Sequence, residues 1–277
     1  MKRIIICLII CLFTAGLKAQ IPNFSSTQYI DQEFGLGTIS LTYGRPNVKG
    51  RKIFNGTEPY GVVWRTGANA ATIIKFTDTV LVEGHKLMPG EYSLFTIPGA
   101  TEWTVIFNKI AKQWGAYSYD QKQDVLRFKV KPFKLAAPVE TLTIQFANVN
   151  IDKGILQILW ENTGLSIHLK ADVDARVIAN IAQMMKGEKK PYYLAAIWYY
   201  NHNLDMRKAL EWMNEVEKVQ PDAYNVRYWK AKIQLKLGDK KGAIFSAKIG
   251  LAIAEKDKNA EYIRMNKEVL REAGAVK

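Results

Sequence analysis

The sequence predicts an α+β protein: an antiparallel β-sandwich or open barrel, followed by an α-helical hairpin array. Three observations carry this expectation. From about Thr27 to Lys170 apolar residues come in short alternating runs separated by Gly, Pro and Asp turns, the pattern of half-buried strands. Near Asp172 the period changes, and Val173, Val177, Ile178 and Ile181 fall on one helical face. From Pro191 onward the pattern is helical and repeats itself at a spacing of 34 residues.

At the start, Lys2 and Arg3 precede the apolar run Ile4–Phe13, and Ala15, Gly16 and Ala19 follow. Basic, apolar, then small is the layout of a secretory signal peptide. The run is too short to cross a bilayer as a helix. Cleavage after Ala19 is expected, with Ala15 or Gly16 as alternative exits, and Ile10 argues against a lipoprotein cut at Cys11. Both cysteines, Cys7 and Cys11, lie in this leader. The mature chain is therefore expected to be exported, periplasmic or secreted, with no disulfide, cysteine metal site or thiol nucleophile. No later apolar stretch is long enough for a second membrane segment.

Residues 20–171 read as the β domain. Ile39–Tyr43 and Leu165–Lys170 alternate, and further runs are Thr72–Phe76, Val80–Val82, Tyr92–Ile97, Trp103–Phe107, Val125–Val130, Leu142–Phe146 and Ile155–Trp160. Turns at Glu83-Gly84-His85, Met88-Pro89-Gly90, Pro98-Gly99 and Asp152-Lys153-Gly154 separate them. Short strands with little helix between them favour antiparallel pairing over a parallel α/β sheet. Residues 172–189 read as a connecting helix, ended by Gly187-Glu188-Lys189-Lys190-Pro191.

Residues 190–277 read as helical. Asp205 and Asp239 lie 34 residues apart, and so do Ala209 and Ala243. Each Ala follows its Asp by four residues, at the start of a second helix. A 34-residue helix–turn–helix with a small residue at the contact point resembles the tetratricopeptide repeat. The units span about 190–223 and 224–257, with a capping helix over 259–273. The repeat's Trp and first-helix Gly are missing here, and its inter-helix Gly is present as Gly238.

Composition narrows the class. The 277 residues are 48% hydrophobic and 23% charged, with a net charge of +13, which excludes disordered, collagen-like and multi-span membrane chains. The β region resembles a bacterial family of exported proteins, domain of unknown function 2911. The residues that carry the resemblance are Tyr43-Gly44-Arg45-Pro46, Lys49-Gly50-Arg51, Val63-Trp64-Arg65-Thr66-Gly67-Ala68-Asn69, Gly90-Glu91-Tyr92-Ser93-Leu94-Phe95, Trp114-Gly115-Ala116-Tyr117 and Trp160-Glu161-Asn162. The resemblance runs from about Ser25 to Lys170. It implies export and a fold region, and no chemistry.

The long segment Gly44–Asn69 has weak strand character and gathers cations and aromatics. Its candidate ligand residues are Arg45, Lys49, Arg51, Trp64, Arg65 and Asn69. Arg presents a planar fork to carboxylates or phosphates, and Trp a flat face to a ring. They predict a site for an anionic or glycan-like envelope ligand. The competing reading is that the guanidiniums pair with Glu58 or Asp120 to pin the loop. Lys49 precedes Gly50, so Gly44–Arg51 lacks the order of a Walker phosphate loop.

In the tail, Trp198, Asn201, Asn225, Tyr228, Lys232 and Lys236 recur at helical spacing and are the candidate residues for a protein or peptide partner. The second unit carries eight basic and three acidic residues; the competing reading is a solvated basic face. His85, His168 and His202 read as scattered surface side chains outside any metal-ligand spacing, so no metal or cofactor is expected. There is no nucleophile elbow and no nucleic-acid recognition motif. The function expected is a non-catalytic exported binding or scaffolding protein. The alternative is a glycan or peptide hydrolase using carboxylates among Glu91, Glu102, Asp120, Asp124 and Glu161, whose separations sequence does not give.

Overall fold

The structure is a computed structural model and describes residues 22–275. The leader expected over residues 1–19 lies outside the described residues. The chain divides into two compact units between Val173 and Asp174.

Among the described residues the first unit holds ten strands: β1 (Ser26–Phe34), β2 (Gly37–Arg45), β3 (Ala68–Phe76), β4 (Val80–Val82), β5 (His85–Leu87), β6 (Gly90–Ile97), β7 (Trp103–Asn108), β8 (Asp124–Val130), β9 (Phe133–Ala147) and β10 (Lys153–Ala171). Every pairing between them is antiparallel. One sheet runs β1-β2-β3-β6-β7-β8 and the other β5-β4-β10-β9. Neither closes on itself, so the architecture is a sandwich and not a barrel.

Alternation explains the core. Ile39 and Leu41 of β2 and Leu142 and Ile144 of β9 are buried while their neighbours are less so, whereas Val105, Ile106 and Phe107 of β7 are all buried, so that strand is covered on both faces. Tyr43 ties one sheet to the other: its hydroxyl donates to Gln28 Oε1 at 2.7 Å and accepts from the Ile144 amide at 2.8 Å. The runs Ile155–Trp160 and Leu165–Lys170 belong to one strand, β10. Register shifts around Glu161 move the buried set from Leu156, Ile158 and Trp160 to Leu165, Ile167 and Leu169. A bulge reverses which face the side chains take.

The second unit holds α1 (Asp174–Met184), α2 (Tyr192–Asn201), α3 (Met206–Val219), α4 (Tyr224–Lys236), α5 (Lys240–Lys256) and α6 (Ala260–Glu272). The two aspartates spaced by 34 residues are helix N-caps. Asp205 accepts from the Arg207 and Lys208 amides, and Asp239 from the Gly242 amide, satisfying donors that the first helical turn leaves open. Ala209 and Ala243 are fully buried. Ile181 of α1 shares a buried cluster with Ala195, Tyr199, Ala209, Trp212 and Met213. Among the described residues no helix is long and apolar enough to cross a membrane.

Candidate functional site

The loop between β2 and β3 is long but held at many points. Its first part is sewn to β9: the Leu142 amide donates to Pro46 O, the Val48 amide to Glu140 O, and the Lys49 amide to Glu140 Oε1. Lys49 and Gly50, with φ of 48° and 70°, turn the chain away. Its middle part packs Ile53 and Phe54 into the core. Its last part bridges to β6, where Trp64 and Thr96 exchange backbone hydrogen bonds of 2.7 and 3.0 Å.

Thr66 is the point of strain. It is β-branched, fully buried, and has φ of +53°, a region costly for such a side chain. The surroundings hold it there. Its hydroxyl lies 3.1 Å from Thr96 Oγ1, and its carbonyl accepts from Thr72 Oγ1 at 2.7 Å. The neighbouring Arg65 carbonyl accepts from the Thr72 amide. Arg65 is thus presented from a backbone that cannot shift without breaking this set. Gly44 allows the close approach, because a Cβ there would lie 2.3 Å from the Ala68 carbonyl oxygen.

Against this loop lies a cleft of about 490 Å³. Lys49, Arg51, Glu58, Arg65 and Asn69 line it, with Trp160, Phe24, Pro46 and Ala68 among its apolar contributors. Asn69 has φ of +64° and donates through Nδ2 to Ser25 O at 3.2 Å, fixing the segment ahead of β1 beside the cleft. The Arg51 guanidinium donates to Val48 O and Asn47 O. Arg65 differs: its Nε is buried and has no hydrogen-bond partner among the described residues. Burial pushes the Glu58 carboxyl up to about 7, against the opposing pull of Arg65 and Arg51.

Four of the six expected ligand residues therefore meet at one cleft: Lys49, Arg51, Arg65 and Asn69. The other two lie elsewhere. Arg45 reaches across to β9, donating to Leu142 O and Thr143 Oγ1 at 3.0 and 3.1 Å. Trp64 is 3% exposed and stacks on Trp160 with ring centroids 5.7 Å apart. Asp120 caps a short 3-10 turn at Gln121–Gln123 and is no partner to these arginines. Glu58 enters as a cleft residue that the sequence offered only as an arginine partner. Its signal was that it is the single acid between Gly44 and Asn69.

The expected partner residues of the tail are largely engaged within their own unit. Lys232 pairs with Glu272 at 2.9 Å. Lys236 donates to Tyr200 O at 2.7 Å and sits 4.1 Å from the Tyr200 ring centre. Trp198 stacks on His202 at 3.8 Å, so that histidine is half-buried and not a loose surface group. Asn225 donates to the Tyr193 hydroxyl, and Tyr228 packs edge-on against Trp229 and Tyr262. Asn201 is exposed at the end of α2.

Residues 25–169, a little over half of the chain, match the model of a family described as a protein of unknown function, DUF2911. The chain belongs to the DUF2911 family. The match begins one residue before β1 and ends within β10, so both sheets and every cleft residue named above except Phe24 lie in the DUF2911 region. Within it, the Trp64–Asn69 block places one indole in the core, one guanidinium in the cleft, and a strained Thr66 between them. No curated protein and no solved structure matches the chain.

Proposed function

We propose that the protein is an exported, non-catalytic binding protein of the bacterial envelope whose DUF2911 domain holds an anionic, glycan-like ligand in the Lys49–Arg51–Arg65 cleft. The observation that supports this most is the buried Arg65 Nε. Buried donors are almost always paired, and a ligand oxygen would supply the missing acceptor. Lys49 and Arg51 add charge around it, and Glu58, when neutral, adds a donor. The leader-like start of the sequence supports export. In the same reading the helical unit docks a protein partner through its capped, 34-residue helix pairs, which resemble tetratricopeptide hairpins.

The hydrolase alternative has one supporting observation, a carboxyl whose ionisation near neutrality suits a general acid. Glycoside hydrolysis ordinarily needs two such groups, and Glu58 is the sole acid among the described residues lining the cleft. The decisive experiment is calorimetric titration of the mature chain with galacturonate, inorganic phosphate and neutral galactose. Binding of an anion but not of galactose, lost in Arg65→Gln without a change in melting, is the expected result. Equal indifference to all three would overturn the reading. Export is checked separately by N-terminal sequencing of the processed protein, expected to begin at or near Gln20.

A further inference from the structure

A second cleft, of about 220 Å³, adjoins the first. Ala68 and Asn69 line both. The segment ahead of β1 runs beside both as well: Phe24 and Ser25 face the first, Asn23 and Thr27 the second. Charge does not continue from one to the other. The second holds no charged side chain: the polar groups of Asn23, Thr27, Thr42 and Asn69 border it together with Tyr43, Ile73, small Ala residues and Trp114.

Trp114 is 68% exposed, yet its backbone is fixed. It forms a bridge to Ala70, the Ala71 amide donates to Gln113 O, and the Gly115 amide donates to Asn69 O. Gln113 before it is buried, with Nε2 donating to Ile110 O at 2.7 Å. Trp114 thus presents a large apolar ring to solvent from an ordered backbone at the edge of the cleft. Its flat face suits the C–H face of a sugar ring, and the amides and hydroxyls beside it suit sugar hydroxyls. Tyr43 and Ile73 also border this cleft, so an acidic peptide is the competing occupant that the titration below separates from a sugar.

We infer that the ligand is an acidic oligosaccharide lying across both clefts, with one unit's carboxylate against Arg65 and Arg51 and a neighbouring ring on Trp114. This rests on the anion-binding reading of the first cleft and extends it to a ligand of at least two linked sugars. Linked contacts multiply affinity because the second is made at high effective concentration. The tetramer of galacturonate therefore gains over the monomer by more than the about fourfold statistical advantage of its four units only if a second contact is made.

The test is calorimetric titration of the mature chain with galacturonate, tetragalacturonate and, as an acidic peptide, tetraglutamate. Tetragalacturonate is expected to bind at least about tenfold tighter than galacturonate, an effect well within reach of linked binding. Trp114→Ala should bring that ratio down to the about fourfold that the four units give statistically, or below it, while leaving galacturonate affinity unchanged, and Trp114→Phe should restore part of the gain. Arg65→Gln should weaken both sugars. A ratio unmoved by Trp114→Ala, or tetraglutamate binding as tightly as tetragalacturonate, overturns the oligosaccharide and leaves the anion site standing. Failure of both sugars to bind overturns this inference, and failure of inorganic phosphate with them overturns the anion site as well.

Discussion

Two regions of this chain carry the same ingredients and use them differently. The β2–β3 loop and the tail segment from Trp198 to Lys236 each combine cations, aromatics and amides. In the loop, Lys49, Arg51 and Arg65 line one cleft, and the Arg65 Nε is left without an acceptor. In the tail, Lys232 and Lys236 have acceptors on their own unit, Glu272 and Tyr200 O. In the reading proposed above, Arg65 serves a ligand because no acceptor for its Nε lies among the described residues, whereas Arg51 beside it already donates to Val48 O and Asn47 O. Where neighbouring turns supply carboxylates and helix-end carbonyls, the same chemistry serves to hold helices together.

The largest expected effect tests whether the cleft depends on the core behind it. Trp160 is 1% exposed, stacks on Trp64, and donates through Nε1 to Glu140 O. Glu140 in turn receives the Lys49 amide. Trp160→Ala should cost about 3–5 kcal/mol, as for other buried aromatic truncations, read from denaturant unfolding. It should also abolish anion binding. A loss below about 1 kcal/mol would mean the stack is not what fixes the loop.

Next comes the tail's packing. Ala243 is fully buried four residues after the Asp239 cap. Ala243→Leu should destabilise by about 1–3 kcal/mol through overpacking, with galacturonate binding unchanged. A neutral result in unfolding would show that the alanine spacing reflects helix propensity and not contact.

The pattern of what sequence revealed follows the same division. Short apolar runs located eight of the ten strands and the 34-residue spacing located the capped helices, because both are local periodicities; β1 and the short β5, which begins at the expected turn residue His85, were not among the runs. The continuity of β10 was hidden, since the bulge at Glu161 changes which face is buried and makes one strand read as two. Arg45 and Trp64 sit in the same motif blocks as Arg65, and composition gives them equal claim. Only the distance from Arg45 to Thr143, nearly one hundred residues away in sequence, separates a clamp from a ligand group. The role of Glu58 was invisible for a related reason: its ionisation is set by burial, which depends on parts of the chain remote from it.

Glu58 provides a pH comparison between the regions. Its folded value of about 7 lies above the ordinary 4.5 because burial disfavours the charged form. The folded state therefore holds a proton that the unfolded chain releases over that window, and this contribution to stability falls as pH rises from about 4.5 to about 7. Neutral Glu58 also repels an anion less. Galacturonate binding should weaken severalfold as pH rises through about 7, and Glu58→Gln should flatten both profiles. An identical pH profile in Glu58→Gln would show that another group controls the cleft.

The smallest expected effect concerns the tail's lysines. The Lys232–Glu272 pair joins α4 to α6, with the lysine side chain 20% and the glutamate 47% exposed. Pairs this open contribute about 0–1 kcal/mol. Lys232→Met should therefore lower stability by no more than about 1 kcal/mol, and a double-mutant cycle with Glu272→Gln should return a coupling in that range. The coupling should shrink as salt rises, because water and ions reach the pair. Lys236→Met should behave similarly, losing a hydrogen bond to Tyr200 O and a contact with the Tyr200 ring. If either lysine is instead needed to capture an acidic partner, its substitution will leave stability unchanged and make capture insensitive to salt. That result would place the tail's cations beside those of the loop, as groups held for a ligand and not for the fold. A measurable coupling with no effect on capture would keep the two regions apart, with the loop presenting charge and the tail consuming it.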